Sequence, residues 1–544
     1  MTRHPLTLLG PLAILRALGK VEVARPELVS VGHVPPDEPE SEPPRAPLRT
    51  GRASPAAPAL AMLAVLSAVA AHPIPAAGAE IVGRSPAPEV AAGAPEGLPP
   101  EAWEAMLRRI RADRSAPRGR PHVADGTDGA PALTEDAKLT ASDAAQNDDL
   151  GASVAVSGIT VVVGAFRDDD DSGSAYVFVR PVGGWTGALT ENAKLTASDG
   201  VAGDRFGRRV AISGDTVVAG APFDDENGNS SGSAYVFVRP VGGWTGALTE
   251  DAKLTASDGA EDDAFASVAI SGDTVVAGAE GDDDSGSASG SAYVFVRPVG
   301  GWTGSLTEDA KLGASDGAAD QSFGSSVAIS GDTVVAGALG DDGFSGSAYV
   351  FVRPVGGWAG SLTENAKLTA SDGAANEVFG TSTAISGNVV VAGAPDADGF
   401  SGSAYVFARP VGGWAGSLTE TAKLTASDGV AMESFGTSTA ISGNVVVAGA
   451  VFGSSAYLFV KPVGGWVGSL TEDAELIASD GDPADQFGFS IAISGNTVVA
   501  GAPSDDVNPG DASGSAYVFS VPPSEIFDDG FESGDTSAWS QTVP

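Results

Sequence analysis

The chain has 544 residues and a net charge of −40; residues 1–130 contain 14 Lys/Arg and 14 Asp/Glu, so all of the negative charge lies after them. Such an acidic body repels nucleic acid and anionic membranes. The lack of cysteine excludes disulfides, thiolate zinc sites and cysteine nucleophiles, and all four histidines lie before residue 123, which excludes a Ser-His-Asp triad in the rest of the chain.

The first 79 residues have the features of a secretory signal placed far from the first methionine. Two arginines precede an apolar run at residues 59–71 and a small-residue site, Ala-Gly-Ala, at residues 77–79. The run is too short for a membrane span, which needs roughly 20 apolar residues. We interpret residues 1–79 as a mis-extended start followed by a signal peptide. The alternative is a Pro/Ala-rich linker with a chance apolar run.

Residues 80–131 are rich in Pro, Ala and Gly, a composition that is typical of a linker. Within them, "PPEAWEAMLRRIRADR" predicts a short helix. Its apolar residues Trp103, Met106 and Ile110 follow one another at helical spacing.

Residues 132–521 repeat one pattern seven times. Each unit contains four short strand-like runs, of the types "KLTAS", "SVAIS", "TVVAGA" and "SAYVFVR", separated by Gly, Asp and Ser. A repeat of this length with four strands is typical of a propeller blade. The sequence therefore predicts an all-β, seven-bladed β-propeller of four-stranded blades. Its units begin at Leu133, Leu189, Leu248, Leu306, Leu362, Leu418 and Leu470.

The repeated aromatic residues predict packing positions. The "SAYVFVR" run is apolar on both faces, as expected for a strand buried between neighbouring blades. All seven tyrosines occupy it, at Tyr176, Tyr235, Tyr293, Tyr349, Tyr405, Tyr457 and Tyr517. Six tryptophans in "GGW" sequences are predicted to be wedges between blades, with a binding surface as the alternative: Trp185, Trp244, Trp302, Trp358, Trp414 and Trp466.

The order of the strands also predicts how the ring closes. A "KLTAS" run that begins at Lys138 precedes the first "SVA" run, whereas no "KLTAS" run follows the last "SAYVF". If each blade takes its outer strand from the following unit, the seventh blade must take the N-terminal strand. This exchange would remove the open edge of a linear array.

The units resemble FG-GAP repeats, as found in the integrin α-subunit propeller and in secreted bacterial proteins. The resemblance covers residues 133–519 and implies a seven-bladed propeller, displayed outside the cell, that serves in adhesion or ligand binding. We expect a monomer and a bacterial source. The "FG" half is altered in the first and third units. The matching residues are Phe206-Gly207, Phe323-Gly324, Phe379-Gly380, Phe435-Gly436 and Phe487-Gly488 for "FG", and Gly220-Pro222, Gly393-Pro395 and Gly501-Pro503 for "GAP".

Acidic clusters follow the "GA" of six units and are absent from the sixth unit. The family often has a calcium loop between the FG and GAP halves, but here that connection is a turn of two to four residues, too short for the six to eight oxygens that calcium takes. Clustered carboxylates after "GA" could bind Ca²⁺ weakly, and a solvated acidic loop is the alternative. The candidate metal ligands are Asp168, Asp170, Asp224, Asp225, Asp282, Asp284, Asp341, Asp342, Asp396, Asp398, Asp505 and Asp506.

Residues 522–544 depart from the repeat and are predicted to be a C-terminal tail, either a surface-sorting segment or a chain end without structure.

The function predicted from these features is non-enzymatic. The expected protein is secreted or exposed on the cell surface and binds an extracellular protein or a polysaccharide. The only cofactor that the sequence suggests is the weakly bound Ca²⁺. Two alternatives stay open. One is a propeller hydrolase that uses carboxylates, which would need an acid and a base set apart from the repeat, and the other is a purely structural surface protein.

Overall fold

The structure is a computed structural model, and it describes residues 130–507 and 512–521. Short runs of β-branched and aromatic residues separated by Gly, Asp and Ser form 35 strands in seven sheets. The all-β, seven-bladed propeller predicted from the sequence is confirmed.

The first three strands of each blade are antiparallel neighbours, joined by short connections. In blade order, the first strands are β3 (Ser153–Ser157), β8 (Arg209–Ser213), β13 (Phe265–Ser271), β18 (Phe323–Ser330), β23 (Ser382–Ser386), β28 (Phe435–Ser442) and β33 (Ser490–Ser494). The second strands are β4 (Thr160–Ala165), β9 (Thr216–Ala221), β14 (Thr274–Ala279), β19 (Thr333–Ala338), β24 (Val389–Ala394), β29 (Val445–Ala450) and β34 (Thr497–Ala502). The third strands are β5 (Ser174–Val179), β10 (Ser233–Val238), β15 (Ser291–Val296), β20 (Ser347–Val352), β25 (Ser403–Ala408), β30 (Ser455–Val460) and β35 (Ser515–Ser520).

Two more strands of each blade come from the next two units. The fourth, antiparallel to the third, are β7 (Ala193–Thr196), β12 (Ala252–Leu254), β17 (Ala310–Gly313), β22 (Ala366–Thr369), β27 (Ala422–Thr425), β32 (Ala474–Ile477) and β2 (Ala137–Thr140). The fifth, parallel to the fourth, are β11 (Gly246–Thr249), β16 (Gly304–Leu306), β21 (Gly360–Thr363), β26 (Gly416–Thr419), β31 (Gly468–Thr471), β1 (Ala132–Thr134) and β6 (Gly187–Thr190).

The predicted number of four strands per blade is therefore corrected to five. The extra strand is the "GALT" or "GSLT" segment, which is not among the four runs predicted from the sequence. It pairs through its backbone with the fourth strand of the same blade, which comes from the preceding unit. Gly187 to Thr190, for example, pair with Ala137 to Thr140. Most of its side chains are exposed, so its burial pattern gives no strand signal.

The first strands surround the axis of the propeller. Each is an edge strand of its own sheet and contacts the first strands of both neighbouring blades; β3, for example, contacts β8 and β33. At one end, the glycine N–H of each first turn donates to the serine Oγ that ends the neighbouring first strand, at 3.0–3.2 Å around the whole ring. The seven edges therefore form the wall of a central channel.

The ring closes through its N-terminal strands, as the sequence predicts, and two such strands take part. Strand β2 pairs with β35 and completes the seventh blade. Strand β1 pairs with β32 and completes the sixth. Glu135 adds a side-chain link, because its carboxylate accepts hydrogen bonds from the backbone N–H and the Oγ of Ser479, at 2.9 and 2.6 Å.

The hydrophobic core lies between the blades. The cluster around Trp244, for example, combines Val162 and Val177 of the first blade with Val217 and Tyr235 of the second. The tyrosines are 0–2 % exposed and the tryptophans 2–5 %, so both predictions of packing positions are confirmed.

The propeller has two unlike faces. We call one the constant face; it carries the turns between first and second strands and the "PVGGW" turns after the third strands, since the N–H of Arg180 donates to the carbonyl of Ile159. We call the other the variable face; it carries the loops between second and third strands and the connections into the first strands, since the N–H of Phe206 donates to the carbonyl of Ser172. Three of these loops contain four-residue helical turns: α1 (Asp168–Asp171), α2 (Asp341–Phe344) and α3 (Ala397–Phe400).

The predicted signal peptide, the linker helix and the C-terminal tail lie outside the described residues. Within residues 130–507 and 512–521, no helix has the length and apolarity needed to cross a membrane.

Candidate functional site

A cluster of polar side chains is built around the tyrosine hydroxyl of every blade, where the variable face meets the outer strands. In all seven blades this hydroxyl donates to Oδ1 of the aspartate in the "ASD" sequence, at 2.9–3.0 Å. These aspartates were not among the predicted site residues. They are Asp143, Asp199, Asp258, Asp316, Asp372, Asp428 and Asp480.

The first aspartate of the loop after "GA" is the second carboxylate of the cluster in five blades. The tyrosine hydroxyl lies within hydrogen-bonding distance of this carboxylate too, at 2.7–3.2 Å. Ser233, Ser291 and Ser515 donate to it through Oγ in three blades. These aspartates are only 2–5 % exposed, so a solvated loop is the wrong description for them: Asp168, Asp224, Asp282, Asp341 and Asp505.

A lysine from the fourth strand supplies the positive charge of the cluster. Lys194 Nζ lies 2.8 Å from Asp143 and 2.6 Å from Asp168, and the same pairing recurs with distances of 2.6–3.2 Å. Because the fourth strand belongs to the following unit, each lysine joins two units. The six lysines are Lys138, Lys194, Lys253, Lys311, Lys367 and Lys423.

Blades five and six show how the cluster changes when its buried aspartate is missing. In blade five Ala397 takes that place, and Lys423 pairs instead with the exposed Asp398, at 2.7 Å. In blade six the loop has only four residues, 451–454, and the fourth strand carries Glu475 where the other blades have lysine. The Oγ of Ser455 donates to Glu475 at 2.6 Å. The lysine is thus absent in the one blade whose loop has no acidic residue.

The remaining predicted ligands are dispersed over the exposed parts of the loops. Asp170, Asp225 and Asp506 are exposed, and the latter two accept backbone hydrogen bonds inside their own loops. Asp284 and Asp342 are exposed and lie 2.5 and 3.4 Å from the lysine of their blade. The half-buried Asp396 is set apart from its cluster, and burial raises its pKa to about 7.

The electrostatics of the clusters favour charged lysine and aspartate. Burial alone would lower the pKa of Lys194, but hydrogen bonds from its ammonium to Asp143 and Asp168 raise it above the ordinary value. Burial alone would raise the pKa of Asp143, but the hydrogen bonds from Lys194 and Tyr176 lower it. Burial and the adjacent carboxylates raise the pKa of Tyr176, so its hydroxyl keeps the proton that it donates.

The family model for FG-GAP repeats matches all seven units and more than half of the chain. The matched residues are 133–178, 189–237, 248–295, 306–351, 362–407, 418–459 and 470–519. The chain belongs to the FG-GAP repeat family.

Comparison with individual proteins adds little to this result. No curated protein sequence matches the FG-GAP propeller. Among solved structures, Sqt1 from Chaetomium thermophilum is 16% identical, covering 71% of this chain and 90% of that one, with a TM-score of 0.40. A putative 6-phosphogluconolactonase from Bacteroides uniformis is 14% identical, with coverage of 58% and 82% and a TM-score of 0.39. The WD40 propeller domain of Doa1 is 11% identical, with coverage of 72% and 98% and a TM-score of 0.43. Similarity at this level says nothing about function.

Calcium binding by this FG-GAP propeller stays a prediction, and the clusters suggest how to test it. Among the described residues, oxygens of Asp258, Asp282 and Asp284 come within 4.8 Å of one another, close enough to share a metal ion. Lys311 Nζ lies 2.7, 3.0 and 2.5 Å from these same carboxylates, so an ion that took all three would displace the ammonium. The lysine therefore competes with calcium for the cluster.

We expect Lys311→Met to bind Ca²⁺ more tightly than the wild-type protein. The substitution removes the ammonium and leaves three carboxylates that repel one another, which a divalent ion relieves. Calorimetry on chelator-treated protein measures the effect. Lys461→Met is the control, because Lys461 lies on the constant face. Equal calcium affinity of the wild type and Lys311→Met would contradict the expected competition.

The buried carboxyl group of Asp485, on the variable face, predicts that the stability of the protein depends on pH. Asp485 is 7 % exposed and accepts a hydrogen bond from the N–H of Asp482. Burial, followed by the charges of Asp505 and Asp482, raises its pKa to about 7. The equivalent residue of blade four is neutral, and its amide, Gln321 Nε2, donates to Asp341 Oδ1 at 2.8 Å.

Asp485→Asn should therefore stabilise the protein at pH 8 by about 2–4 kcal/mol. With a folded pKa above the unfolded value, the wild-type carboxyl stabilises the fold below pH 4, and this contribution is lost as the pH rises through 7. The advantage of the variant should shrink to less than half at pH 5. Urea unfolding at pH 5 and pH 8 measures it, with Asp170→Asn as an exposed control. A difference that does not depend on pH would refute the assignment to Asp485.

Proposed function

We propose that this protein is a non-enzymatic propeller, secreted or displayed on the cell surface of a bacterium, that binds an extracellular protein or polysaccharide through its variable face. Membership of the FG-GAP family supports an extracellular location, and the acidic body argues against nucleic acid as a partner. Recognition residues are expected on loops held by a rigid scaffold, and a propeller collects such loops from all its blades.

The observation that carries the proposal is that variation in loop length between units is confined to one face. On the constant face every first turn reads Ser-Gly followed by Asp, Asn or Ile, and six turns read Pro-Val-Gly-Gly-Trp. On the variable face the loops between second and third strands range from four residues, 451–454, to twelve, 503–514, and differ in charge. Unlike loops on a common scaffold can form a surface that distinguishes partners.

The arrangement of the carboxylates supports binding over hydrolysis. A glycosidase needs one carboxyl group that holds a proton and a second that stays ionised. In the clusters the carboxylates recur as a set, each shared between a tyrosine hydroxyl and a lysine ammonium. These partners occupy the oxygens that would meet a substrate, and at Asp143 their hydrogen bonds lower the pKa despite burial. The third candidate, a purely structural role, predicts no specific ligand.

The test compares a variant of each face for binding to a glycan array and in pull-downs from the native medium, with and without calcium. Blade six supplies a natural template for a loop without acidic residues. Replacing residues 222–232 by residues 451–454, together with Lys253→Glu, reproduces that loop and its glutamate partner in blade two. The constant-face control is Val241→Ser with Val299→Ser, since both valines are fully exposed.

Binding that is weakened by the loop replacement and kept by the valine variant supports the proposal. The reverse pattern would move the binding surface to the constant face. No binding in any format would favour a structural role, and turnover of a glycoside or ester would favour the hydrolase.

A further inference from the structure

Four arginines depart from the repeat and lie together. Sixteen Lys/Arg residues follow residue 130, and twelve of them occupy two recurring positions. Six are the lysines of the polar clusters, and six are the Arg or Lys that follows each of the first six third strands. The other four are Arg167, Arg205, Arg208 and Arg209, on the variable face of blades one and two.

Three of these arginines, Arg167, Arg205 and Arg208, lie over one or both of two aromatic rings. The guanidinium of Arg208 lies 4.8 Å from the ring centroid of Phe166, and that of Arg205 lies 4.9 Å from that of Phe223. Arg167 also lies over Phe166, at 5.4 Å, and pairs with Asp149 at 3.3 Å. Contacts of this kind hold a guanidinium in place and leave its N–H groups free to donate.

Arg208 and Arg209 have no anionic partner in contact. Within the part of the chain that the structure describes, neither guanidinium donates a hydrogen bond or lies within 4.0 Å of a carboxylate. Both are half-buried. Burial, followed by the charges of Arg209 and Arg205, lowers the pKa of Arg208 to about 9, and burial lowers the pKa of Arg209. Two enclosed positive charges with no carboxylate in contact are costly, so an anion that reached them would be bound.

The two arginines stand at the variable-face end of the central channel. Arg209 begins the first strand of blade two, where the other blades have serine. In blade four the equivalent Ser326 donates through Oγ to the carbonyl of Gly380 in the next blade, at 2.8 Å. Three other blades make the same bond, at 2.7–2.9 Å. A serine at position 209 would suit the fold, so packing does not explain the arginine.

Glu280 is a carboxylate that also departs from the repeat, but it does not pair with the two arginines. Glu280 follows the second strand of blade three, where other units have Phe, Pro, Leu or Val. Its charge interacts with those of Arg208 and Arg209, but no oxygen of Glu280 comes within 4.0 Å of either guanidinium. Glu280 therefore partly balances the charge without occupying the N–H groups.

We propose that Arg208 and Arg209 bind the carboxylate of a uronic acid in an otherwise neutral polysaccharide; this rests on the proposed function and names one site of the binding face. A planar guanidinium matches a carboxylate in bidentate geometry. The net charge of −40 repels a polyanion, which favours a ligand with sparse carboxylates. The surroundings suit a sugar, because Phe223 offers an exposed apolar ring beside Arg205.

The test uses the full chain and a matched pair of ligands. One is a glucose oligosaccharide that contains a single glucuronate, the other is the all-glucose oligosaccharide, and sodium acetate serves as a carboxylate without a sugar. Calorimetry compares the wild type with the double variant Arg208→Ser, Arg209→Ser. This variant restores the repeat residue at position 209, so it is expected to fold. The control Arg239→Ser removes a guanidinium from the constant face, where Arg239 pairs with Asp215.

We expect the wild type to bind the glucuronate oligosaccharide at least tenfold more tightly than the all-glucose one or acetate. The double variant should lose at least tenfold in affinity, and Arg239→Ser should lose none. Thermal melting distinguishes a binding role of the two arginines from a structural one. Removing unpaired charges that serve only to bind a ligand should not lower the melting temperature. The double variant should melt at or above the wild-type temperature.

Four results would overturn the proposal: no heat with the glucuronate oligosaccharide, equal affinity for the all-glucose one, equal affinity for acetate, or a double variant that melts well below the wild type. If one of these occurs while the loop replacement in blade two still weakens binding to the glycan array, only this site is wrong. If the loop replacement also has no effect, the proposed function fails with it.

Discussion

Replacing residues 132–140 by a Gly/Ser segment of the same length is expected to leave the protein without a cooperative folded state. The replaced residues include β1 and β2, which complete the sixth and seventh blades. Leu139 is 0 % exposed and Ala137 is 1 % exposed, in a core shared with Val499 and Val518 of blade seven. Truncating one buried leucine costs about 2–5 kcal/mol, and a whole domain is stable by only about 5–15 kcal/mol.

Circular dichroism melting and size-exclusion chromatography measure this effect. The control is the same replacement at residues 112–120, which precede the propeller strands. Leu139→Ala provides a milder variant, and we expect it to lower the free energy of unfolding by about 2–5 kcal/mol. A replacement at residues 132–140 that melts like the control would show that the ring does not depend on its N-terminal strands.

Removal of one cluster lysine is expected to have the second largest effect. Lys253 Nζ lies 2.7 Å from Asp199, 3.2 Å from Asp224 and 2.9 Å from Glu226, and its side chain is 10% exposed. Lys253→Met keeps most of the apolar stem but leaves Asp224 buried beside another carboxylate. Breaking a buried ion pair in this way costs about 3–5 kcal/mol.

The double variant Lys253→Met, Asp224→Asn should recover much of that loss, because it removes the buried charge that the single variant leaves unpaired. Urea unfolding of the two variants and of Lys461→Met, on the constant face, measures the difference. If the double variant is less stable than Lys253→Met alone, the loss does not come from an unpaired Asp224.

The sequence was sufficient to predict the propeller, the packing of its aromatic residues and the closure of its ring. All three depend on features that recur in every unit or on the order of the strands, such as the tyrosine of each third strand. The fifth strand was missed because its side chains are mostly exposed and its partner strand lies in the preceding unit, about 50 residues earlier. Gly187 to Thr190 therefore show neither the alternation nor the apolar run that indicates a strand.

The acidic loops were only partly predictable. In "GDDGF" the two aspartates look equivalent, yet Asp341 is 2 % exposed and Asp342 is exposed. Residues far along the chain contribute to this difference, because Lys367 arrives with the next unit and lies 2.6 Å from the inner carboxylate but 3.4 Å from the outer one. One signal was available in the sequence. Glu475 replaces the lysine in the unit after the loop that has no acidic residue.

The sharing of strands between distant units has a consequence for biosynthesis. Strands β1 and β2 are made first, but their partners β32 and β35 are made last, after more than 330 further residues. The earliest part of the propeller must therefore wait for the latest before it acquires its neighbours. A polypeptide that ends before β35 has an exposed strand edge at both ends of its array of blades. Only a chain that contains β35 can pair these edges and protect them from proteases and from other copies of the chain.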